Sequence, residues 1–411
     1  MRLNAYVAGV GMTAFGKHLD RGLKSLGAEA VNEALRDSGL ETTDIEASYM
    51  SNAAAGPITG QEMIRGEVVL HPIGLGKIPV INVENACASA STAFGQACAM
   101  VSAGLYDVVL ACGIEKMYHP DKARTYQALG GAVDVEAAAQ IKAELEASAA
   151  ASGATAATGG AGESRSVFMD VYARSAREYM AAHGATAEHL AGVSAKNSLH
   201  GSLNERAQFR ESLSVEEVLR SPMIAEPLTR PMCSPVGDGA AAAIVVSEAK
   251  ARELGLIGKA PRVVASVLRT TWPKDDGDPG LTEFTAKATY ELAGIGPRDL
   301  DVVELHDASA FAELGAYESL QLCGAGEGPA MIADGTTALS GRIPVNPSGG
   351  LLRKGHPIGA TGIAQIVELA DQLRGRCGAR QVANPRTALA HNAGGRIGRD
   401  SAVCAITLMT R

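Results

Sequence analysis

The chain reads as an α/β protein built from two similar halves. Three observations predict this. Apolar strand-like runs alternate with alanine-rich helical stretches along all 411 residues. A short signature recurs: Ser38-Gly39-Leu40 before Asp44-Ile45, and Ala293-Gly294-Ile295 before Asp299-Leu300. Ser91-Thr92-Ala93-Phe94-Gly95-Gln96 can also be laid on Ala360-Thr361-Gly362-Ile363-Ala364-Gln365, a shift of 269 residues that carries Cys87 onto His356. Such a duplication predicts a thiol and an imidazole at equivalent helix openings, facing one another across a pseudo-twofold axis.

The elements follow in order. Met1-Arg2-Leu3-Asn4 leads straight into a strand-like run without a cleavable signal pattern. Ile78-Pro79-Val80-Ile81-Asn82-Val83 reads as a buried strand, and Glu84 to Ser91 as a small-residue turn that opens a helix. Asp107 to Gly113 is the next strand. From about residue 118 to 235 the texture changes. Ala147 to Thr155 and Gly159-Gly160-Ala161-Gly162 are dense in small residues, which predicts a mobile loop or linker. Helical text resumes at Val167-Phe168-Met169-Asp170. The region reads as an insertion that covers one side of the site and shapes the pocket; a surface excursion without function is the alternative. Strands return at Ala240 to Val246, Asp301 to Leu305 and Ser401 to Leu408. The expected organisation is a first half of residues 1–117 plus 236–258, a loop or cover domain of 118–235, and a second half of 259–411.

Composition narrows the function classes. A net charge of −8 and the lack of a basic stripe argue against nucleic acid as a partner. No apolar run approaches the length of a membrane span. Seven cysteines, at 87, 98, 112, 233, 323, 377 and 404, are scattered singly with no CxxC pair. Neither a zinc knuckle nor a disulfide framework is indicated, and a reducing cytoplasm fits best. The ending Met409-Thr410-Arg411 carries no peroxisomal address.

Cys87 is the first candidate for chemistry. A thiol where a strand ends and a helix opens feels the positive end of the helix dipole, which favours the nucleophilic thiolate. A packed free cysteine is the competing reading. Three histidine motifs weigh against it: His306-Asp307-Ala308 after an apolar run, Lys354-Gly355-His356-Pro357-Ile358-Gly359-Ala360-Thr361-Gly362, and Leu389-Ala390-His391-Asn392-Ala393-Gly394-Gly395. Each histidine stands at a strand end or among glycines, where backbone can approach a ligand closely.

Taken together these residues resemble the thiolase superfamily, over essentially the whole chain. Gly355 to Gly362 is a highly specific block, and Asn85-Ala86-Cys87-Ala88-Ser89 is the expected nucleophile loop. The pairing of His306-Asp307 with His391-Asn392 is similar to the branch related to sterol-carrier-protein thiolases. The resemblance implies duplicated βαβαβαββ units in a five-layer αβαβα fold with an inserted loop domain. It implies a homodimer, coenzyme A thioester substrates, and no metal or other permanently bound cofactor. Cys87 would carry the acyl group as a thioester. His356 would take the thiol proton, and His306 with His356 would hold one oxyanion or enolate site. The backbone N–H groups of Cys87 and Ala393 would form the second.

The chain departs from the family at one role. Common thiolases have a second cysteine at the position of His391, and sterol-carrier-protein thiolases have it at the position of Ala308; both are missing here. Proton transfer at the substrate α-carbon then falls to an imidazole, to water or to another residue. His391 is the obvious candidate, and a structural hydrogen bond is the alternative for it. The Cys-His-His set also resembles ketoacyl synthases. The expected function is thiolytic cleavage of a 3-oxoacyl-CoA, or its reverse, with a bulky, aromatic, branched or steroid-like acyl group. Retro-aldol cleavage of a 3-hydroxyacyl-CoA is the alternative, as is a non-catalytic acyl-thioester-binding subunit. Related bacterial chains suggest a small zinc-ribbon and OB-fold partner.

Overall fold

The computed structural model describes residues 3–153, 165–275 and 277–411. The glycine-rich tract 159–162 and the last residues of the alanine-rich tract lie outside the described residues. The first half runs β1 (Ala5–Met12), α1 (Leu23–Ser38), β2 (Ala47–Ser51), α2 (Ala55–Thr59), α3 (Arg65–Leu70), β3 (Val80–Val83), α4 (Ser89–Ser102) and β4 (Val108–Glu115). The insertion supplies α5 (Lys122–Gly130), α6 (Ala138–Ala151), α7 (Val167–His183), α8 (Ala187–Ser202), α9 (Val215–Arg220) and the ribbon of β5 (Met223–Ala225) and β6 (Leu228–Thr229). The chain returns through β7 (Gly239–Ser247) and α10 (Glu248–Glu253). The second half is β8 (Arg262–Thr270), α11 (Leu281–Ala293), β9 (Val302–Glu304), α12 (Ala310–Ser319), α13 (Gly328–Ala333), α14 (Gly350–Arg353), α15 (Thr361–Arg374), β10 (Thr387–Gly394) and β11 (Val403–Thr410).

Strand order carries the duplication. The first half is ordered β3-β2-β4-β7-β1, with β3, β2 and β4 parallel and β7 antiparallel to both its neighbours. The second is β9-β10-β11-β8, with β9 and β10 parallel and β11 antiparallel to both its neighbours. The position equivalent to β3 is reduced to one parallel bridge, Val303 to Val345. Two residue pairs, Ala5–Val263 and Tyr6–Arg262, join the halves along β1 and β8.

Alternation along the strands sorts side chains into layers. In β7, Ala241, Ala243 and Val245 face the central helices, while Ala240, Ala242, Ile244 and Val246 face α1 and α3. The second half buries its outer face under α8, α11 and α12. Between the two halves of the sheet lie α4 and α15. The result is the duplicated five-layer αβαβα arrangement that the resemblance implies. Twelve of the fourteen residues of α15 are buried, as expected for a helix enclosed on all sides. Its start touches α4 so closely that a Cβ on Gly362 would stand 2.1 Å from Ser91 Oγ. Only glycine permits that approach, and it brings the two helix openings together.

Two expectations are corrected. The run 78–83 is an edge strand with Ile81 and Asn82 exposed, not a buried one, because β3 pairs only with β2. The tract Ala147–Ala151 is not a linker but the end of α6, since alanine is the strongest helix former. Among the described residues no helix is long and apolar enough to cross a membrane.

Candidate active site

The nucleophile turn is built from short local bonds. After β3 the backbone passes through Ala86 at φ +46°, a left-handed conformation that costs an alanine energy. Hydrogen bonds hold it there. Asn85 N–H donates to Ser89 Oγ at 2.8 Å, and that hydroxyl donates to the Ala86 carbonyl at 2.6 Å. Asn85 Nδ2 donates to Thr92 Oγ1 at 3.0 Å. The end of β10 rests on this turn: a Cβ on Gly394 would lie 2.3 Å from the Asn85 carbonyl oxygen. Cys87 is thereby fixed between the opening of α4 and the end of β10.

His356 meets it from the other half. Its Nε2 lies 3.3 Å from Cys87 Sγ, and its Nδ1 lies 2.8 Å from Thr361 Oγ1. Thr361 donates its one hydroxyl proton to the Pro357 carbonyl at 3.0 Å. It must therefore accept from Nδ1–H, which leaves the Nε2 lone pair facing the thiol. Glu115, at the end of β4, ties the histidine loop to the first half. It accepts from Gly359 N–H at 2.9 Å, Ala53 N–H at 3.0 Å, Ala54 N–H at 3.1 Å and Asn52 Nδ2 at 2.9 Å.

His306 completes the cluster. Its ring stands edge-on to that of His356, with centroids 5.1 Å apart. Its Nδ1 is buried without a partner among the described residues. One donor atom from each of Cys87, His306 and His356 lies within 4.8 Å of the others. That spread is wider than the roughly 3.5 Å between neighbouring ligands of tetrahedral zinc, and Nε2 and Sγ already face each other as acceptor and donor. The space between the two rings suits a substrate oxygen. His391 is set apart. Its Nδ1 accepts from the His306 backbone N–H at 3.4 Å, its Nε2 stands 3.4 Å from Thr282 Oγ1, and it does not line the cavity described below. His391 thus sits behind His306, with both ring nitrogens next to protein groups.

Charge at the site differs from the sequence expectation. Burial pushes the Cys87 thiol up to about 12, with Glu115 and Glu84 adding to the rise. The backbone amides of Gly395 and Cys87 pull the other way and do not win. The helix opening alone therefore does not make a standing thiolate, because desolvation outweighs it. Burial, then the neighbouring His306, holds His356 well below the usual imidazole range. Burial also holds His306 down to about 4, against an upward pull from Asn392. At neutral pH these shifts favour a thiol facing a neutral imidazole. The Gly395 amide is close enough to favour the thiolate, and Ala393 and Gly395 both line the cavity beside Cys87.

Cys87, His306 and His356 open into one cavity of about 440 Å³. Its wall is mostly apolar: Leu129 from α5, Phe168, Met169 and Tyr172 from α7, and Ile224 and Val236 from later segments. The insertion therefore covers the site. Sequence reasoning missed Glu115 and the tautomer-setting hydroxyl of Thr361. A carboxylate ending the apolar run Val108–Glu115 was the available signal for the first; nothing local marks the second.

Residues 5–249 match the family model described as "Thiolase, N-terminal domain", and residues 280–406 match "Thiolase C-terminal domain-like". The benzoylsuccinyl-CoA thiolase subunit BbsB of Thauera aromatica is 38% identical over 95% of this chain and 94% of its own. An acetyl-CoA acetyltransferase of Methanothermobacter thermautotrophicus is also 38% identical, over 95% of this chain and 96% of its own. Sterol carrier protein 2 of Rattus norvegicus is 36% identical over 95% of this chain and 69% of its own. Among solved structures, the Ltp2-ChsH2(DUF35) aldolase superposes with a TM-score of 0.77 over 98% of this chain and 97% of its own at 23% identity, a likeness of fold. A thiol–imidazole pair at the meeting of two duplicated α/β halves defines the class. The chain belongs to the thiolase superfamily.

Two outcomes follow from this arrangement. Thr361→Val removes the acceptor of Nδ1–H, and stranding that buried donor costs about 1–3 kcal/mol. Acylation of Cys87 should slow about tenfold to a hundredfold, and Tm should fall by a few degrees, as read by quenched mass spectrometry and thermal melts. Because His356 stays neutral below the usual imidazole range and Cys87 stays protonated up to about 12, kcat/KM for acylation should be flat from about pH 6 to 9. A limb titrating near 6.5 would contradict the neutral pair.

Proposed function

We propose that this chain is a thiolase-type acyltransferase that cleaves 3-oxoacyl-CoA, or condenses in reverse, through an acyl group carried on Cys87. One observation supports it above the rest: Sγ lies 3.3 Å from an imidazole nitrogen whose other nitrogen is fixed as a donor, beside a mostly apolar cavity. Such a pair transfers a proton as the carbon–sulfur bond forms and divides one transfer into two. His306 and His356 flank one substrate oxygen, and the amides of Cys87 and Ala393 serve the other. Coenzyme A enters as a substrate, and the chemistry needs no permanently bound cofactor. The aromatic and branched wall suits a bulky, largely apolar acyl group, in keeping with the name of the Thauera aromatica relative.

That relative is named as a subunit, and the aldolase structure carries a second named component. Both support a partner subunit for this chain, and a small zinc-ribbon and OB-fold subunit is the kind proposed. The free edge of β3, with Ile81 exposed, supports a homodimer formed by pairing two such edges. Seven free cysteines, with no disulfide between them, suit a reducing compartment such as the cytoplasm.

Mixing the protein with an acyl-CoA should add the acyl mass to one site, and Cys87→Ser should abolish both adduct and turnover. Cleavage of a 3-hydroxyacyl-CoA with no adduct would favour the aldolase reading instead. In sedimentation, Ile81→Lys should shift a dimer towards monomer; an unshifted dimer would place the interface elsewhere.

A further inference from the structure

Resting on the acyl-transfer reading above, we propose that the Tyr172 hydroxyl gives the proton to the substrate α-carbon, the work done by the second thiol that this chain lacks. Tyr172 lies on α7, in the insertion, and shares the cavity with Cys87, His306 and His356. Phe168 and Met169, four and three residues before it, line the same cavity, so this face of the helix is turned to the site. Its hydroxyl has no hydrogen-bond partner among the described residues, and its atoms are not among the sealed, unpartnered polar atoms. The hydroxyl is free to meet a substrate atom.

Tyr126, Ser166, Ser234 and Ser401 bring further hydroxyls to the cavity, and Tyr172 is set apart from them by its electrostatic tie to Cys87. Ser166 Oγ caps α7 by accepting from Phe168 N–H at 3.3 Å. Cys233, the other thiol in the wall, points its Sγ at the Thr229 carbonyl at 3.6 Å. Electrostatics ties Tyr172 to the nucleophile. Burial raises its phenol above the usual range, and the nearby Cys87 adds to this, while the Arg396 guanidinium opposes it by favouring the phenolate. Such a phenol is a poor standing base. It is still far more acidic than the α-carbon of a thioester, so it protonates an enolate readily.

The proton count closes in the thiolytic direction. His356 takes the Cys87 proton as sulfur bonds to C3 of the 3-oxoacyl-CoA. The C2–C3 bond breaks, leaving an acyl-Cys87 thioester and an acetyl-CoA enolate. Tyr172 O–H protonates C2 of the enolate and becomes phenolate, with Arg396 close by. The incoming coenzyme A thiol returns a proton to the phenolate, and its thiolate attacks the acyl-Cys87 carbonyl. Sulfur of Cys87 leaves and recovers the proton held on His356. One 3-oxoacyl-CoA and one coenzyme A become one shorter acyl-CoA and one acetyl-CoA, with no oxidant or reductant.

The test separates C–C cleavage from simple acyl exchange. Two probes acylate Cys87 with the same group: 3-oxo-3-phenylpropionyl-CoA, which must lose an enolate, and benzoyl-CoA, which loses only a thiolate. In Tyr172→Phe, acylation by the first and net thiolysis should fall by about a hundredfold or more, with KM little changed. Acylation by benzoyl-CoA should stay within about threefold of the unsubstituted protein, as expected when the lost group acts only on the α-carbon. An equal loss with both probes would mean a packing role and overturn the proposal. So would an unchanged Tyr172→Phe, or a Cys233→Ala protein that alone shows the selective loss. If the unsubstituted protein forms no Cys87 adduct with either probe, the acyl-transfer reading fails as well. Adduct and thiolysis that survive in Tyr172→Phe sink the tyrosine alone.

Discussion

Everything at this site depends on how closely the openings of α4 and α15 meet. Both helices lie in the middle layer, enclosed by the two halves of the sheet, and Gly362 lets the start of one rest on Ser91 of the other. Cys87 precedes α4 and His356 precedes α15, so the helix contact sets the sulfur–nitrogen distance. A side chain at position 362 would push the openings apart and separate the two reacting atoms. Packing of this kind gives a geometry that loops alone hold less well. Glu115 adds a second restraint, because its carboxylate gathers amides from both the Asn52 segment and the His356 loop.

The same enclosure sets the charge. Dry surroundings that fix the pair also remove water from any ion formed there. Thiol and imidazole are both held in their neutral forms, one by an upward and one by a downward shift. Glu115 shows the tension plainly. Burial pushes its carboxyl up to about 7, even though the amides of Ala53, Ala54 and Gly359 favour the charged form. An anion on this residue would oppose an anion on Cys87.

Much of this was legible in the sequence because it follows from periodicity and repetition. The shift of 269 residues between Ser91 and Ala360 also relates Cys87 to His356, and those two side chains make the hydrogen bond. Runs 107–113, 240–246 and 301–305 fall on β4, β7 and β9, since a strand buried on both faces is continuously apolar. What stayed hidden depends on neighbours distant in the chain. Ile78 to Val83 has the composition of an inner strand, and only sheet order reveals an open edge. His391 stands among glycines as His356 does, yet Thr282 and the His306 amide occupy its nitrogens. The dipole argument for Cys87 was sound in direction, but depth of burial cannot be read from a local run.

The insertion divides the labour. The duplicated halves supply the thiol, the two imidazoles and the amides, all on elements locked in the core. The segment between β4 and β7 supplies the apolar wall, with α7 laying Phe168, Met169 and Tyr172 along the cavity. A wall carried by an inserted segment can change with little effect on the sulfur–imidazole contact, because that contact is set by Gly362 and Ser91 in the middle layer. The cavity wall and the thiol–imidazole pair thus rest on different parts of the chain. A polar group that the core no longer provides can then come from the wall. Position 308 is alanine and the nitrogens of His391 meet Thr282 and the His306 amide, whereas α7 of the insertion brings the Tyr172 side chain to the same cavity as Cys87.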